Sequence, residues 1–214
     1  MSSIEDEILG FIAADEYASQ NPEINEPNVF SVSTLAWDWR RQAEYKCRGG
    51  NHVRNEVNFD MFRGKAIHEY LQRRFERKGW VAEFKLSKYL DDIEVSGKRV
   101  MIIGHVDLYE PERGIIVELK SSQWSDRIID SHIVQAGAYA AMMREMTLKV
   151  SDVHVIKINS KITRYTLTED DIIRGYRTIV ERAHMAAREI NICLGSPRMD
   201  DFISGSYDSS HHKV

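Results

Sequence analysis

Two acidic residues in residues 104–122, GHVDLYEPERGIIVELKSS, have types and spacing that suit metal chemistry. Asp107 and Glu118 each lie inside an apolar run, and a short polar hinge separates the two runs. If the runs form an antiparallel hairpin in which Glu110 pairs with Ile115, Asp107 lies opposite Glu118. Directly opposed side chains are about 5 Å apart at Cβ. Two carboxylates at that separation repel each other, so the pattern predicts a cation between them.

Lys120 extends the pair to a set of three groups. Glu118 and Lys120 share one face of a strand because strand side chains alternate. Mg²⁺ prefers a few carboxylate oxygens and keeps several waters. A water acidified by the metal is a nucleophile, and a nearby Lys can orient it or stabilise developing negative charge. The alternative is an ordinary cross-strand ion cluster, but the apolar flanks and Gly104, which thins its strand, favour the metal site.

Other side chains are candidates for the same site. His68 in FRGKAIHEYLQ lies on a predicted helix and could reach the cation, although a helical His is also common as a surface or packing residue. His105 shares the predicted face of Asp107 and is a rival ligand. Gln135 and Tyr139 are one helical turn apart and could line the cleft. Their alternative is a Tyr that packs between helices beside a solvated Gln.

Periodicity and capping signals predict the elements that position these residues. Helices are predicted at 37–45 after a Ser33-Thr34 cap, at 58–78, at 128–145 and from an opening at 168–171, with a short helix within 3–18. Strands are predicted at 81–90, 99–109, 114–121, 153–159 and 161–167. The order predicts an α/β fold with a mixed central sheet flanked by helices.

The charged residues are unevenly distributed along the chain. The net charge is −4, but residues 1–26 hold seven acids and no Lys or Arg, so the remainder is net positive. We predict an acidic N-terminal arm at 1–30, a single domain at 31–195 and a flexible tail at 196–214. A basic stretch at 39–78 offers a nucleic-acid face or a solvated face of mixed charge. No apolar run is long enough for a bilayer and the acidic start does not suit a signal peptide, so we expect no membrane partner and an intracellular, cytoplasmic location.

Four segments together resemble a known family. GKAIHEYL, GHVDLY, IIVELKSS and QAGAY are similar, in order and spacing, to motifs of the RecB-like branch of the PD-(D/E)XK nucleases. FSVSTLAWDW, just upstream, resembles the opening Ser-rich helix of that branch. The resemblance covers about residues 60–140, and it rests on four motifs in sequence because each motif alone is weak.

The resemblance implies a restriction-endonuclease-like core and a role for each matched residue. The implied ligands of Mg²⁺ or Mn²⁺ are His68, Asp107, Glu118 and the backbone carbonyl of Leu119. The implied catalytic set is Asp107, Glu118 and Lys120, with Gln135 and Tyr139 holding the site or the DNA. Glu83, in VAEFKL, resembles an acidic position on the first strand of the branch.

The chain departs from part of the family in its cysteines. Many CRISPR-associated and AddB-type members bind an iron–sulfur cluster with four cysteines, whereas this sequence has only Cys47 and Cys193. Arg40-Arg41-Gln42 stands near where the first Cys-Pro is expected. The resemblance is therefore nearer to cluster-free relatives, including phage or viral exonucleases.

These observations predict a metal-dependent deoxyribonuclease that acts in DNA recombination, repair or viral DNA processing. An exonuclease acting on DNA ends is expected, with single strands slightly favoured and homo-oligomerisation left open. The alternatives are a junction-resolvase-like endonuclease and a non-catalytic DNA-binding protein of the same fold. Trp37 and Trp39 could stack on bases or pack in the core. The predicted basic contacts to DNA are Arg40, Arg41, Arg63, Lys65, Arg73 and Arg74.

Overall fold

The computed structural model describes residues 25–48, 59–121 and 125–195, with backbone alone for 59–62. The helices are α1 (Val32–Cys47), α2 (Phe59–Glu76), α3 (Asp130–Glu145) and α4 (Glu169–Gly195). The strands are β1 (Val29–Ser31), β2 (Val81–Val95), β3 (Lys98–Glu110), β4 (Ile115–Lys120), β5 (Asp152–Ile158) and β6 (Ile162–Thr166). The predicted mixed sheet with flanking helices is confirmed.

Strand β3 is the centre of the six-stranded sheet. One edge of β3 pairs antiparallel with the long strand β2. On the opposite edge, β1 pairs in parallel with 101–103, while β4 pairs antiparallel with 108–110. These two partners leave 104–107 between them, so the sheet opens into a fork at this point. Asp107 lies at the closed end of the fork, where β3 and β4 separate.

The β4-α3-β5 unit is a parallel crossover, and β6 then pairs antiparallel with β5. Helices cover both faces of the sheet. The main core lies on the side of α1, α3 and α4, and a smaller cluster forms where Leu71 and Phe75 of α2 meet Leu108, Val117 and Leu119. A Cβ on Gly137 would lie 2.7 Å from the carbonyl oxygen of Asp171, so this glycine is what lets α3 and α4 pack closely.

Helix α1 differs from its prediction at the start and in the middle. It begins at Val32, so Ser33 and Thr34 lie in its first turn and are not its cap; the N-cap is Ser31, which makes no side-chain capping bond. The helix kinks at Asp38, whose φ of −150° is not helical and whose Oδ1 accepts the backbone N–H of Arg41 at 3.2 Å. The Asp38 side chain thus takes over as an internal cap.

Arg182 of α4 stabilises this kink. Its guanidinium donates to the carbonyl oxygens of Leu35 and Ala36, at 2.8 and 2.6 Å, in the turn just before the kink. Further along the same two helices, towards their carboxyl ends, Cys47 of α1 lies next to Cys193 of α4. Burial and the contact with the Cys193 thiol raise the pKa of Cys47 to about 12. Two cysteines remote in sequence are therefore neighbours.

Other boundaries differ by a few residues. Strand β2 runs to Val95, beyond the predicted end at residue 90, and the three-residue strand β1 was not predicted. Most of the predicted acidic arm, its short helix and the whole predicted tail lie outside the described residues, so the domain limits stay predictions. None of the described helices is long and apolar enough to cross a membrane.

Candidate active site

The hairpin has the register that the sequence predicts as far as its strands pair. Glu110 pairs with Ile115, and the ladder continues to Leu108 opposite Val117. Asp107 and Glu118 are the next residues, just beyond the last pair. Asp107 Oδ2 accepts the backbone N–H of Leu119 at 2.7 Å. A carboxylate therefore takes the place of a backbone acceptor where the strands diverge, and this fixes Asp107 in the fork.

Helix α2 brings His68 to the second oxygen of Asp107. His68 Nδ1 lies 3.4 Å from Asp107 Oδ1, and Asp107 is 8 % exposed. Burial lowers the pKa of His68, but the hydrogen bond and negative charge of Asp107 outweigh burial, so the pKa of His68 is raised. The imidazole and the carboxylate thus stabilise each other in the absence of another cation.

Glu118 is the most deeply buried acid in the described chain, with 2 % of its surface exposed. Its Oε1 accepts hydrogen bonds from Lys120 Nζ at 2.8 Å and from Gln135 Nε2 at 2.7 Å. Its Oε2 is buried and has no hydrogen-bond partner among the described residues. Burial and the charge of Asp107 raise the pKa of Glu118 to about 8, although Lys120 opposes the shift.

Helix α3 supplies the remaining polar groups. Gln135 Oε1 accepts from Lys120 Nζ at 2.8 Å, and Gln135 Nε2 also contacts the hydroxyl of Tyr139 at 3.0 Å. A Cβ on Gly104 would lie 2.4 Å from Cε1 of Tyr139, so the absent side chain makes room for the ring. Burial and the charge of Glu118 raise the pKa of Tyr139 well above its usual value, which keeps the phenol protonated.

The donor set suits a hard divalent cation, although the ligands are not gathered around one point. Within the three described ranges, no group of three or more His, Cys, Asp or Glu side chains is placed to hold a metal. The buried unpartnered Oε2 of Glu118, next to the carboxylate of Asp107, nevertheless fits Mg²⁺, which needs few protein ligands because it keeps several waters. His68 faces Asp107, and a role for the Leu119 carbonyl stays a prediction.

Two further candidate ligands lie at the margin. Glu83 falls where β2 would pair with Asp107; its neighbours pair on either side, and Glu83 itself has φ +49°. Its carboxylate accepts from Gln72 Nε2 at 2.5 Å. His105 pairs with Lys85 across β2 and makes no ion pair with either acid within the described chain. Glu83 and His105 therefore lie near Asp107 in the register of the sheet, and the backbone of His105 forms a hydrogen bond with Tyr139.

The predicted DNA-contacting residues are spread over α1 and α2. Arg63 is half-buried, and its Nε has no hydrogen-bond partner among the described residues. Next to it, a Cβ on Gly64 would lie 2.9 Å from Ser121 Oγ, so this part of α2 packs against the end of β4. Arg63 thus lies beside the fork. The other predicted contacts are five residues of α1 and α2. These are Arg40, Arg41, Lys65, Arg73 and Arg74.

Several of these cations stack on aromatic rings of their own helix. Arg40 lies 4.8 Å from the Trp39 ring, and Arg74 lies 5.9 Å from the Tyr70 ring. Trp39 packs against the main core, while Trp37 is 66 % exposed. The two tryptophans therefore divide between the alternatives of the sequence analysis, and only Trp37 is available for stacking on a base.

One buried residue beside this cluster, Lys157 of β5, is not among the candidates that the sequence predicts. It is 3 % exposed and is the strand partner of Lys120. The signal was present in DVHVIKI, where alternation assigns this lysine to the buried face together with Val153 and Val155.

Comparison with solved structures identifies the fold. Over 84 % of this chain and 87 % of the other, the crystal structure of SSO0001 superposes with a TM-score of 0.58 at 20 % identity. A putative exonuclease from Eubacterium rectale gives 0.54 at 12 % identity, covering 89 % and 98 %. An alkaline exonuclease from Laribacter hongkongensis gives 0.50 at 13 % identity, covering 78 % and 92 %.

These likenesses confirm the predicted fold and agree with the resemblance to PD-(D/E)XK nucleases. At such low identity they establish the fold alone. No family model matches the chain, and no curated protein matches it.

Proposed function

We propose that the protein is a metal-dependent deoxyribonuclease whose active centre is the fork between β3 and β4. The observation that carries the proposal is the unpartnered, buried Oε2 of Glu118 beside a second carboxylate, Asp107. A fold gains no stability from crowding two acids in a low-dielectric site. A divalent cation held by both acids would remove that cost.

The roles of the side chains follow from their contacts. Asp107 and Glu118 would hold Mg²⁺ or Mn²⁺, with His68 and the Leu119 carbonyl as further ligands. When bound, such an ion acidifies water and neutralises negative charge on a phosphate. Lys120 has a fixed ammonium, bonded to Glu118 and Gln135, and is suited to stabilise charge that develops on a phosphodiester oxygen.

Gln135 and Tyr139 would hold Lys120 and Glu118 in position. Gln135 bonds Lys120 through its carbonyl oxygen and Glu118 through its amide nitrogen. It therefore sets the distance between the Lys120 ammonium and the Glu118 carboxylate. Tyr139 contacts the same amide from the core side. This chain of hydrogen bonds would keep Lys120 from folding back onto the unpaired oxygen of Glu118.

DNA ends are the proposed substrate, in recombination, repair or viral DNA processing. Two proteins that share the fold are named exonucleases, which favours an exonuclease over the junction-resolvase-like alternative. Arg63 is next to Gly64, which packs against the end of β4, and would bind the DNA backbone. Exposed Trp37 could stack on a base of a single strand.

The proposal is tested with end-labelled single- and double-stranded DNA and a closed circular duplex, each with Mn²⁺ or EDTA. We expect Mn²⁺-dependent shortening of the linear substrates and an intact circle, and we expect Asp107→Asn and Glu118→Gln to abolish shortening. Glu145→Gln is the matched control, because Glu145 forms an ion pair at the far end of α3.

The other outcomes identify the alternatives. Cutting of the circle or of a branched junction would indicate an endonuclease. DNA binding without cleavage by the wild-type protein in Mg²⁺, Mn²⁺ and Co²⁺ would indicate a non-catalytic binding protein. Cleavage by Asp107→Asn and Glu118→Gln at the wild-type rate would refute this active centre.

A further inference from the structure

The β4-α3-β5 crossover places a second lysine next to the candidate active centre. Lys120 and Lys157 are partners in the parallel ladder between β4 and β5. Neighbouring strands lie about 4.8 Å apart, and partner residues point to the same face. That face is the α3 side, because Glu118 bonds Gln135 of α3. Both lysines therefore stand at the carboxyl ends of parallel strands, beneath the amino end of α3.

Lys157 is buried without an anionic partner in the described chain. Its surface is 3 % exposed, and its Nζ donates to the carbonyl oxygen of Arg127 at 3.1 Å. No carboxylate among residues 25–48, 59–121 and 125–195 forms an ion pair with it, whereas Lys120 has Glu118. An ammonium group has three donors, and a buried charge is costly unless an opposite charge accompanies it. The Arg127 carbonyl satisfies one donor and none of the charge.

Two residues in the first turn of α3, which begins three residues after Arg127, also carry donors. The hydroxyl of Ser131, in the first turn of α3, is buried without a partner in the described chain. Burial and the charges of Lys120 and Lys157 lower the pKa of His132 to about 4, so its ring is neutral at pH 7. Because His132 Nδ1 accepts the backbone N–H of Ile129 at 3.4 Å, the ring hydrogen is on Nε2.

The acids nearest in sequence are already engaged. Asp130 pairs with Arg174 of α4, and both oxygens of Asp126 accept from the hydroxyl of Ser160, at 3.2 and 3.0 Å. The amino end of α3 adds the positive end of a helix dipole. The region beside Lys120 thus has excess positive charge and unused donors.

We propose that Lys157, with Ser131 and the first turn of α3, binds a backbone phosphate of the nucleic acid next to the phosphate that is cleaved. This inference rests on the proposed nuclease function and adds a substrate contact to it. Lys120 would serve the reacting phosphate, and Lys157 its neighbour along the strand. The structural alternative is that Lys157 only holds the Arg127 carbonyl in place.

A binding experiment separates the two. A short end-labelled single strand is titrated in EDTA, by fluorescence anisotropy over a range of NaCl concentrations, with wild type, Lys157→Met and Lys161→Met. Lys161 is the matched control because it is exposed in the turn after β5. We expect Lys157→Met to bind roughly tenfold more weakly, with a salt slope smaller by about 0.7, the value of one phosphate contact on a single strand. Lys161→Met should bind like wild type.

A scan of the substrate tests the same contact without a variant. Single phosphates are replaced in turn by neutral methylphosphonates, and the wild-type affinity is measured. We expect a methylphosphonate at one linkage next to the cleaved bond to weaken wild-type binding about as much as Lys157→Met does. The same methylphosphonate should not weaken binding by Lys157→Met any further, because both changes remove the same interaction. No such linkage, equal binding by the two lysine variants, or a loss of kcat at unchanged KM and affinity would overturn the proposal.

Failure of the proposed function has a different signature. A wild-type protein that binds the strand with a salt slope but cleaves no DNA would contradict the nuclease and leave the Lys157 contact measurable. Thermal melting of each variant, and Lys157→Gln if Lys157→Met does not fold, keeps the binding comparison among folded proteins.

Discussion

The two ends of α3 carry clusters of the same residue types that differ in how completely they are paired. At the far end, Lys88 Nζ bonds both oxygens of Glu145 at 2.6 Å, and the Tyr176 hydroxyl donates to Glu145 Oε1 at 2.9 Å. Every oxygen of that carboxylate has a partner, and 43 % of the side chain is exposed.

The cluster in the fork also contains a Glu, a Lys and a Tyr, but it is buried and incomplete. One oxygen of Glu118 is unpartnered in the described chain, and a second acid lies beside it. A solvated, fully paired cluster needs nothing further for stability. The fork cluster keeps a buried carboxyl oxygen without a partner in the described chain, which is the property expected of a site that binds a cation.

The largest expected effect separates the two lysines. Lys120→Met should lower Mn²⁺-dependent DNA cleavage by about a hundredfold or more, the usual loss when one charge-stabilising donor is removed. Lys88→Met should leave the rate unchanged because Lys88 bonds only the far cluster. Steady-state cleavage of one labelled strand by both variants is the measurement, and equal rates for them would contradict the division of roles.

The pH dependence of stability should come from the fork. The pKa of Glu118 in the folded protein is about 8, above the unfolded value of 4.5. Its contribution is therefore fully present below pH 4.5 and is lost as the pH rises through about 8. In EDTA we expect the wild-type Tm to fall over this window by on the order of 10 °C more than that of Glu118→Gln.

Added metal gives a second test of the buried acid. Because Mn²⁺ would bind the folded protein through the ionised acids, it should raise the wild-type Tm at pH 8 and leave that of Glu118→Gln unchanged. Thermal scans at several pH values, with and without Mn²⁺, measure both effects. A Glu118→Gln curve parallel to that of wild type would show that the buried acid does not titrate in this range.

Gly104→Ala should disturb the fork from the core side. The new methyl group would lie 2.4 Å from Cε1 of Tyr139, so the ring has to move, at a cost of about 1–3 kcal/mol of unfolding free energy. Cleavage should fall as well, because Tyr139 contacts Gln135. Tyr139→Phe is the control that keeps the ring and removes the hydroxyl. Urea unfolding at wild-type stability would show that the core accommodates the methyl group.

The smallest effect is expected at the far cluster. Lys88 and Glu145 are partly exposed, so Lys88→Met should cost about 1 kcal/mol or less of unfolding free energy. Urea unfolding measures it, with Lys161→Met as the exposed-lysine control. A cost of several kcal/mol would mean that this cluster is a buried structural element and would weaken the comparison with the fork.

Those parts of the fold and of the fork that depend on short stretches of sequence could be predicted. The apolar runs around Asp107 and Glu118 predicted the strands, and a four-residue hinge at 111–114 predicted the hairpin and its register. Strand β1 was not predicted because three residues are too few to show an alternating pattern. It is stabilised by its long-range pairing with β3. The start of α1 was misplaced because Ser33 and Thr34 look like caps, whereas the backbone turns at Ser31.

Contacts between distant elements were beyond the sequence for a different reason. That Lys157 lies beside Lys120 follows from the parallel pairing of β4 with β5, which no local pattern specifies. The meeting of Cys47 with Cys193 likewise depends on how α1 packs along α4. The unpartnered oxygen of Glu118 is a property of the complete hydrogen-bond network and appears only once every neighbour is placed.

Calorimetric titration of the metal-free protein with Mn²⁺ determines whether a cation binds between Asp107 and Glu118, when wild type, Glu118→Gln and Glu145→Gln are compared. We expect wild type and Glu145→Gln to bind Mn²⁺ with equal affinity and Glu118→Gln to bind it at least tenfold more weakly. Equal Mn²⁺ binding by all three proteins, or no binding by the wild type, would contradict a cation site between Asp107 and Glu118.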